Sequence, residues 1–366
     1  MIRLGFLVSC VCLLAACATR PGPDVLHPSP LSTAAQTQPS GDPVRVFLAT
    51  TRAISEADRR DFNAERSSGL NYASFDVSIP PVHKPSEIEW PKGTPDPARD
   101  FVTLDRQGYD AGGFVRALGG ERAGRTDVVL YVHGFNTSLP EAVYRAAQIS
   151  HDADRSAVPV VFAWPSEARM TAYVADRDAA DYSRPYLAEL ITRLAQSKRI
   201  GRFFIVAHSM GGRLTMETLM QLRLAGRRDV LNRLEVVLAD PDIDSDLFWE
   251  QVRITGRLNP PLTVVVAPDD RALMMSQMLA AGNPRIGKAD LSDPQIAQHA
   301  ADLGVRLVDI SSLESDAIGH SRIDQLAALY DQLPAGQAGS NLRSAGAFFF
   351  EAIGLGFTRF GQGLSP

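Results

Sequence analysis

The sequence predicts an α/β domain on a mostly parallel central sheet with helices on both faces. Three observations carry this. From Val128 onward short apolar runs alternate with longer amphipathic stretches, the pattern of βαβ units. One of these runs leads directly through a serine-bearing turn into a helical stretch, at Ala207-His208-Ser209-Met210-Gly211. The residues able to do chemistry follow the runs, at the carboxyl ends of strands, where sheets of this kind bind ligands.

In chain order, Val44–Thr50 and Tyr72–Ile79 read as strands, the second alternating apolar and polar residues. Proline-rich sequence from Pro80 to Pro97 is loop. The later strands are Val128–Val132, Pro159–Trp164, Phe203–Ala207, Leu234–Ala239, Leu262–Ala267 and Val305–Ile310. Helices are expected at Leu139–Arg155, Ala179–Gln196, Met210–Ala225, Leu247–Val252, Leu273–Ala281 and Arg322–Leu333. The stretch from Tyr72 to Gly124 is expected to help shape the pocket or its lid.

The N-terminus has the layout of an export signal. Arg3 supplies a positive charge, Leu4 to Ala16 is almost wholly apolar, and Leu14-Ala15-Ala16-Cys17 closes the run with small residues. That run is shorter than the roughly 20 residues a bilayer span requires. Its ending resembles the lipobox of bacterial lipoproteins, which implies a 1–17 signal peptide, acylation of Cys17 (palmitate among the chains) and a membrane partner through that anchor. Ala18, rather than Asp, resembles the outer-membrane sorting pattern of enteric bacteria. An ordinary signal peptide is the plainer alternative.

All three cysteines lie in this segment, so the rest of the chain has no disulfide, thiolate metal site or cysteine nucleophile. Residues 18–43, rich in Pro, Ser, Thr and Gln, read as a disordered tether. Residues 44–335 form the catalytic domain, and 336–366 form a tail whose Gly346–Gly363 stretch carries five phenylalanines. The tail suits either docking on the domain or lying on lipid. A net charge of −5 with scattered basic residues points to no nucleic-acid partner. Protein partners are not legible.

The serine turn fits a nucleophile elbow, a tight strand–turn–helix corner that tolerates only small residues two before and two after the serine. Ala207, Gly211 and Gly212 meet that requirement. A serine merely capping a helix is the plainer alternative. His133-Gly134-Phe135-Asn136 follows the strand at Val128–Val132. There Phe135 and Met210 are expected to donate backbone N–H groups to an oxyanion, with His133 structural rather than a base.

Several stretches together resemble a branch of the α/β-hydrolases, the bacterial esterase/lipase-like proteins of a domain-of-unknown-function family. They are Leu48-Ala-Thr-Thr-Arg52, Val77-Ser-Ile-Pro80, Val132-His-Gly-Phe-Asn136, Phe162-Ala-Trp-Pro-Ser166 and Ala207-His-Ser-Met-Gly211. The series continues with Ala239-Asp-Pro-Asp-Ile-Asp244, Asp270-Arg-Ala-Leu273, Arg285-Ile-Gly287 and Ile318-Gly-His320. The resemblance spans about Val44 to Leu333. It implies the α/β-hydrolase fold and a Ser-Asp-His triad.

Triad order in this fold is Ser, acid, His. Two histidines follow Ser209: His299, in a surface helix, and His320, in a loop after the last strand, which is where the base must sit. Asp269-Asp270 and the Asp240, Asp242, Asp244 group compete for the acid. The resemblance favours Asp270, with Asp240 second. The alternating aspartates also resemble oxygen ligands for calcium, without the glycine and glutamate of an EF-hand loop.

The expectation is therefore a cofactor-free, metal-free serine hydrolase of carboxylic esters at the bacterial cell envelope. Its triad is Ser209, Asp270 and His320, and its oxyanion donors are Phe135 and Met210. A non-catalytic envelope lipoprotein built on the same scaffold, and a lipase or acyltransferase working on membrane lipid, are the alternatives.

Overall fold

The structure is a computed structural model that describes residues 20–28, 41–153 and 157–311. Cys17, His320, the expected helix at 322–333 and the tail lie outside these residues. Strands β1 (Asp42–Ile54), β2 (Phe62–Ile79), β3 (Val102–Tyr109), β4 (Thr126–Val132), β5 (Val158–Ala163), β6 (Ile200–His208), β7 (Leu234–Ala239), β8 (Leu262–Val266) and β9 (Val305–Asp309) form one nine-stranded sheet. Its order is β3-β2-β1-β5-β4-β6-β7-β8-β9. β1 pairs parallel with β5, while β2 pairs antiparallel with both β1 and β3. Every pair from β5 to β9 is parallel, so β2 alone runs against the rest.

The apolar runs are continuous because both faces of the sheet are buried. In β4, Val128, Leu130 and Val132 face one core, and Val129 and Tyr131 face the other. The same alternation splits Phe203, Ile205 and Ala207 from Phe204 and Val206 in β6. One core is closed by α3 (Tyr173–Gln196) and α4 (Met210–Leu224) and the other by α2 (Leu139–Asp152). Phe47, Phe162, Phe203 and Phe204 are fully buried, each contributing roughly 1.5–3 kcal/mol of apolar transfer.

Helix starts follow local chemistry. Ser138 caps α2 in a reciprocal box with Glu141. Asp244 caps α6 (Ser245–Thr255), Asp270 caps α7 (Arg271–Leu279) and Asp293 caps α8 (Pro294–Leu303). Arg228–Leu231 forms the short α5.

The expected strands from Val128 onward are present within two or three residues. Three expectations need correction. β1 and β2 are longer than read; in β2, residues 62–71 are mostly polar on a partly exposed stretch that apolar counting misses. The stretch from Tyr72 to Gly124 is not separate from the sheet. β2, β3 and α1 (Ala111–Leu118) build the sheet edge beyond β1. Nor is the tether unstructured at residues 20–28. Pro23–Leu26 makes a short 3-10 helix, Leu26 is buried, and the Val25 carbonyl accepts hydrogen bonds from Tyr144 and Thr103.

Candidate active site

The strand order fixes where a site can form. β4 connects onward to β5 on one side, and the chain then returns to place β6 on the other side of β4. The turns after β4 and β6 therefore diverge at a topological switch point, leaving a crevice at their carboxyl ends. His133-Gly134-Phe135 leaves β4 there and Ser209 leaves β6.

Ser209 has φ 52° and ψ −116°, a conformation costly for any residue with a Cβ. It is held there from three sides. Its N–H donates to Ala239 O at 2.9 Å, and its carbonyl accepts from Gly212 N at 2.9 Å and Asp242 N at 3.1 Å. It occupies the N-cap position of α4, yet its side chain makes no capping hydrogen bond. The capping alternative thus fails, and the hydroxyl sits at a helix N-terminus unspent on the helix.

The small residues around it are required by packing. A Cβ on Gly211 would lie 2.3 Å from Val132 O and 2.5 Å from His133 O. A Cβ on Gly134 would lie 3.1 Å from Ser209 Cβ. The turn after β4 therefore passes directly against the serine. Ala207 is buried, and its methyl group is accommodated.

His133 is not a base. It is fully buried, stacks on Trp164 with ring centroids 4.7 Å apart, and has Nδ1 2.9 Å from Gly134 O. Burial, aided by the charge of Arg52, pushes its pKa down to about 3, so the ring is neutral at working pH.

Behind the turn after β4 lies a polar frame to which the sequence assigned no role. The buried Asp176 carboxylate accepts from Ser166 Oγ at 2.7 Å, Glu167 N at 2.8 Å and Asn136 N at 3.4 Å. Arg52 donates to Ser166 O at 2.8 Å, and burial lowers its pKa to about 10. Asn136 holds φ 57° at the end of this turn.

A second frame joins the loops after β7 and β8. Tyr173 packs edge-to-face on Phe135, 5.3 Å between centroids. Its hydroxyl donates to Asp242 Oδ2 at 2.6 Å and lies 2.9 Å from Ser276 Oγ. Burial, then the adjacent Asp242 charge, raises its pKa to about 12. Ser276 also donates to Asp242, and Arg285 pairs with it at 3.2 Å. Gly287 threads between these loops, where a Cβ would meet Leu273 at 2.6 Å and Asp240 C at 2.7 Å. Asp240–Asp244, Asp270–Leu273 and Arg285–Gly287 thus meet in one frame. It also engages Asp242 with protein donors and Asp244 as a helix cap, so the alternating aspartates do not converge as calcium ligands would.

The two candidate acids are both buried at the carboxyl ends of neighbouring strands. Asp240 follows Ala239, the residue that receives the Ser209 N–H, and has φ 44°. Asp270 follows β8, and its Oδ1 accepts from Leu273 N at 2.9 Å. His299 is exposed on α8 and stacks on Trp249. His320 lies outside the described residues. Arg52, Ser166 and Gly287 sat in quoted motifs without a role. Tyr173 and Asp176 were missed because the polar start of α3 conceals six helical residues before Ala179.

A switch-point serine on a strained elbow, with a glycine-bearing turn packed against it, is the arrangement of an α/β hydrolase. The chain belongs to the family described as alpha/beta hydrolase of unknown function (DUF900), matched over residues 119–336. Among solved structures it is similar to an esterase of Pyrobaculum calidifontis, at 17% identity and a TM-score of 0.30, over 57% of this chain and 77% of that one. It is also similar to a fungal esterase of Rhizomucor miehei, at 12% identity and a TM-score of 0.38, over 87% of each chain. No curated protein matches. Among the described residues no helix is long and apolar enough to cross a membrane.

Proposed function

We propose that the protein is a serine hydrolase of carboxylic esters, working by acyl transfer through Ser209. The observation that carries this is the strained, non-capping Ser209 at the switch point. Its hydroxyl attacks the ester carbonyl while the imidazole of His320 takes the proton, and Asp270 holds that imidazole's tautomer. Phe135 and Met210 N–H groups stabilise the oxyanion. The alcohol leaves with the proton from His320, and water then hydrolyses the acyl-enzyme. Asp240 is the second candidate for the acid. The chemistry calls for no metal or organic cofactor.

Exposed side chains beside the site favour an apolar acyl group. Met170 in the 3-10 turn before α3, Val174 on its first turn, and Met274, Met275, Met278 and Leu279 on α7 are 41–72% exposed, near the Tyr173–Ser276 contact. Methionine surfaces adapt to flexible apolar chains. With Cys17 as a lipid anchor at the cell envelope, the same rim would suit a lipase or acyltransferase acting on membrane lipid.

The test is hydrolysis of p-nitrophenyl esters from acetate to palmitate beside Ser209→Ala. The proposal expects activity that vanishes in the variant, and a chain-length optimum that shortens in Met275→Ser/Met278→Ser. No hydrolysis of any ester would favour a non-catalytic scaffold. Activity on long chains only at a lipid interface would favour the membrane reading.

A further inference from the structure

The loop from Pro80 to Phe101 is fastened to the C-terminal end of α2 by a cluster that the hydrolase chemistry does not use. His83 Nε2 lies 3.0 Å from Asp152 Oδ1, and His151 Nδ1 lies 3.4 Å from the same oxygen. The three donor atoms fall within 4.8 Å of one another. The His83 and Asp152 side chains are only 5% and 2% exposed, and His151 is 28% exposed. In a parallel sheet α2 begins at the carboxyl end of β4 and ends near the amino end of β5, so this cluster lies at the end of the sheet opposite Ser209.

We infer that His83, His151 and Asp152 form a binding site for a zinc-class divalent ion. Two imidazoles and one carboxylate are a borderline-soft donor set of the kind zinc selects. Ligands about 2.0–2.2 Å from a tetrahedral ion stand about 3.3–3.6 Å apart; the His151–Asp152 separation of 3.4 Å falls in that range, and the His83–Asp152 separation of 3.0 Å needs to open by only a few tenths of an ångström. The remaining atoms of these side chains are arranged as supports. His83 Nδ1 faces Glu89 Oε2 at 2.8 Å, which fixes the tautomer that leaves Nε2 as ligand. Glu89 is itself held through Oε1 by Lys84 N at 2.8 Å. The second oxygen of Asp152 accepts from Ser86 N at 2.8 Å and from Gln148, leaving Oδ1 for the ion. Arg145 in turn bonds Gln148 Oε1 at 2.7 Å and Ser86 O at 2.9 Å, joining loop and helix behind the site.

Binding displaces the proton otherwise shared between His83 and Asp152, with water as fourth ligand. Three protein ligands with orienting partners exceed what an ion pair requires. At the far end of the sheet the ion would act structurally, stapling loop 80–101 to α2.

The test uses the full-length chain without a histidine tag. Cobalt(II) titration should give the visible absorption of a tetrahedral site saturating at one equivalent, and zinc should displace it with Kd below about 1 µM. His151→Ala should weaken zinc by more than tenfold, and Glu89→Gln by tenfold to a hundredfold. Both variants should keep the metal-free melting temperature close to that of the metal-free wild type. His27→Ala, which alters a separate His27, Asp58, Asp61 group, should leave binding unchanged. Substoichiometric binding, or affinity indifferent to His151→Ala and Glu89→Gln, would overturn the inference and leave the cluster as a histidine clamped between two carboxylates.

Discussion

Replacing Gly211 by alanine tests how tightly the elbow is built. The new Cβ would stand 2.3 Å from Val132 O, 2.5 Å from His133 O and 2.9 Å from Val132 C, all main-chain atoms at the end of β4 and in the turn that follows it. A carbon–oxygen contact settles near 3.3 Å, so the start of α4 must retreat by ~1 Å. Alanine is the better helix former by about 1 kcal/mol, but overpacking costs ~1–3 kcal/mol and no flexible side chain can give way. The net expectation is a loss of ~1–2 kcal/mol in stability. Catalysis should suffer more, because a ~1 Å displacement between nucleophile and oxyanion donors costs on the order of 10²-fold in kcat. Urea unfolding and ester kinetics on the same preparation measure both. Gly212→Ala is the internal control, since its Cβ would meet Pro241 Cβ at a milder 3.0 Å. A folded Gly211→Ala enzyme with wild-type kcat would refute the reasoning.

Three further expectations can be checked together. Ser209→Gly relieves a φ of 52°, worth ~1–3 kcal/mol, against ~0.5–1 kcal/mol of added chain entropy. Stability should stay level or rise by about 1 kcal/mol while ester hydrolysis falls more than ~10³-fold, and destabilisation in urea would assign the serine a structural role. Asp270→Asn keeps the α7 cap, since asparagine caps as well as aspartate, but should lower kcat by ~10³–10⁴-fold. If Asp240→Asn shows that loss instead, the acid is Asp240. His133 has a folded pKa of about 3, below its unfolded value near 6.5, so the unfolded chain binds the extra proton between them. Stability is then full above pH 6.5 and falls as pH drops through that window, by on the order of 2–3 kcal/mol at pH 4.5. Urea midpoints at pH 7.5 and 4.5 should separate less in His133→Asn than in the wild type.

The fold was legible from β4 onward because strands buried on both faces announce themselves as uninterrupted apolar runs. Half-exposed strands do not. β3 and the first half of β2 carry charged and polar side chains at the sheet edge, and their pairing partners are distant in sequence. Residues 20–28 were hidden for a related reason, since only Val25 and Leu26 pack apolar side chains on the domain, Arg20 and His27 add polar contacts, and so few residues make no pattern. The elbow was legible because its constraint is local and steric, written in Ala207, Gly211 and Gly212. The frames behind it were not. That Asp176 would meet Asn136 N, or Tyr173 would bridge Phe135 to Asp242, depends on where α3 crosses the crevice. The clamp on His83 was equally invisible, with partners six and 69 residues away.

The central claim is that Ser209 is an activated nucleophile, and covalent labelling tests it most directly. The full-length chain would be treated with a fluorophosphonate, digested with trypsin and mapped by mass spectrometry. Cleavage after Arg202 and Arg213 releases Phe203–Arg213, in which Ser209 is the sole hydroxyl side chain. The account predicts one adduct per chain, on that peptide, abolished in Ser209→Ala. A wild-type chain that takes up no probe, or takes it up on another peptide, would contradict it.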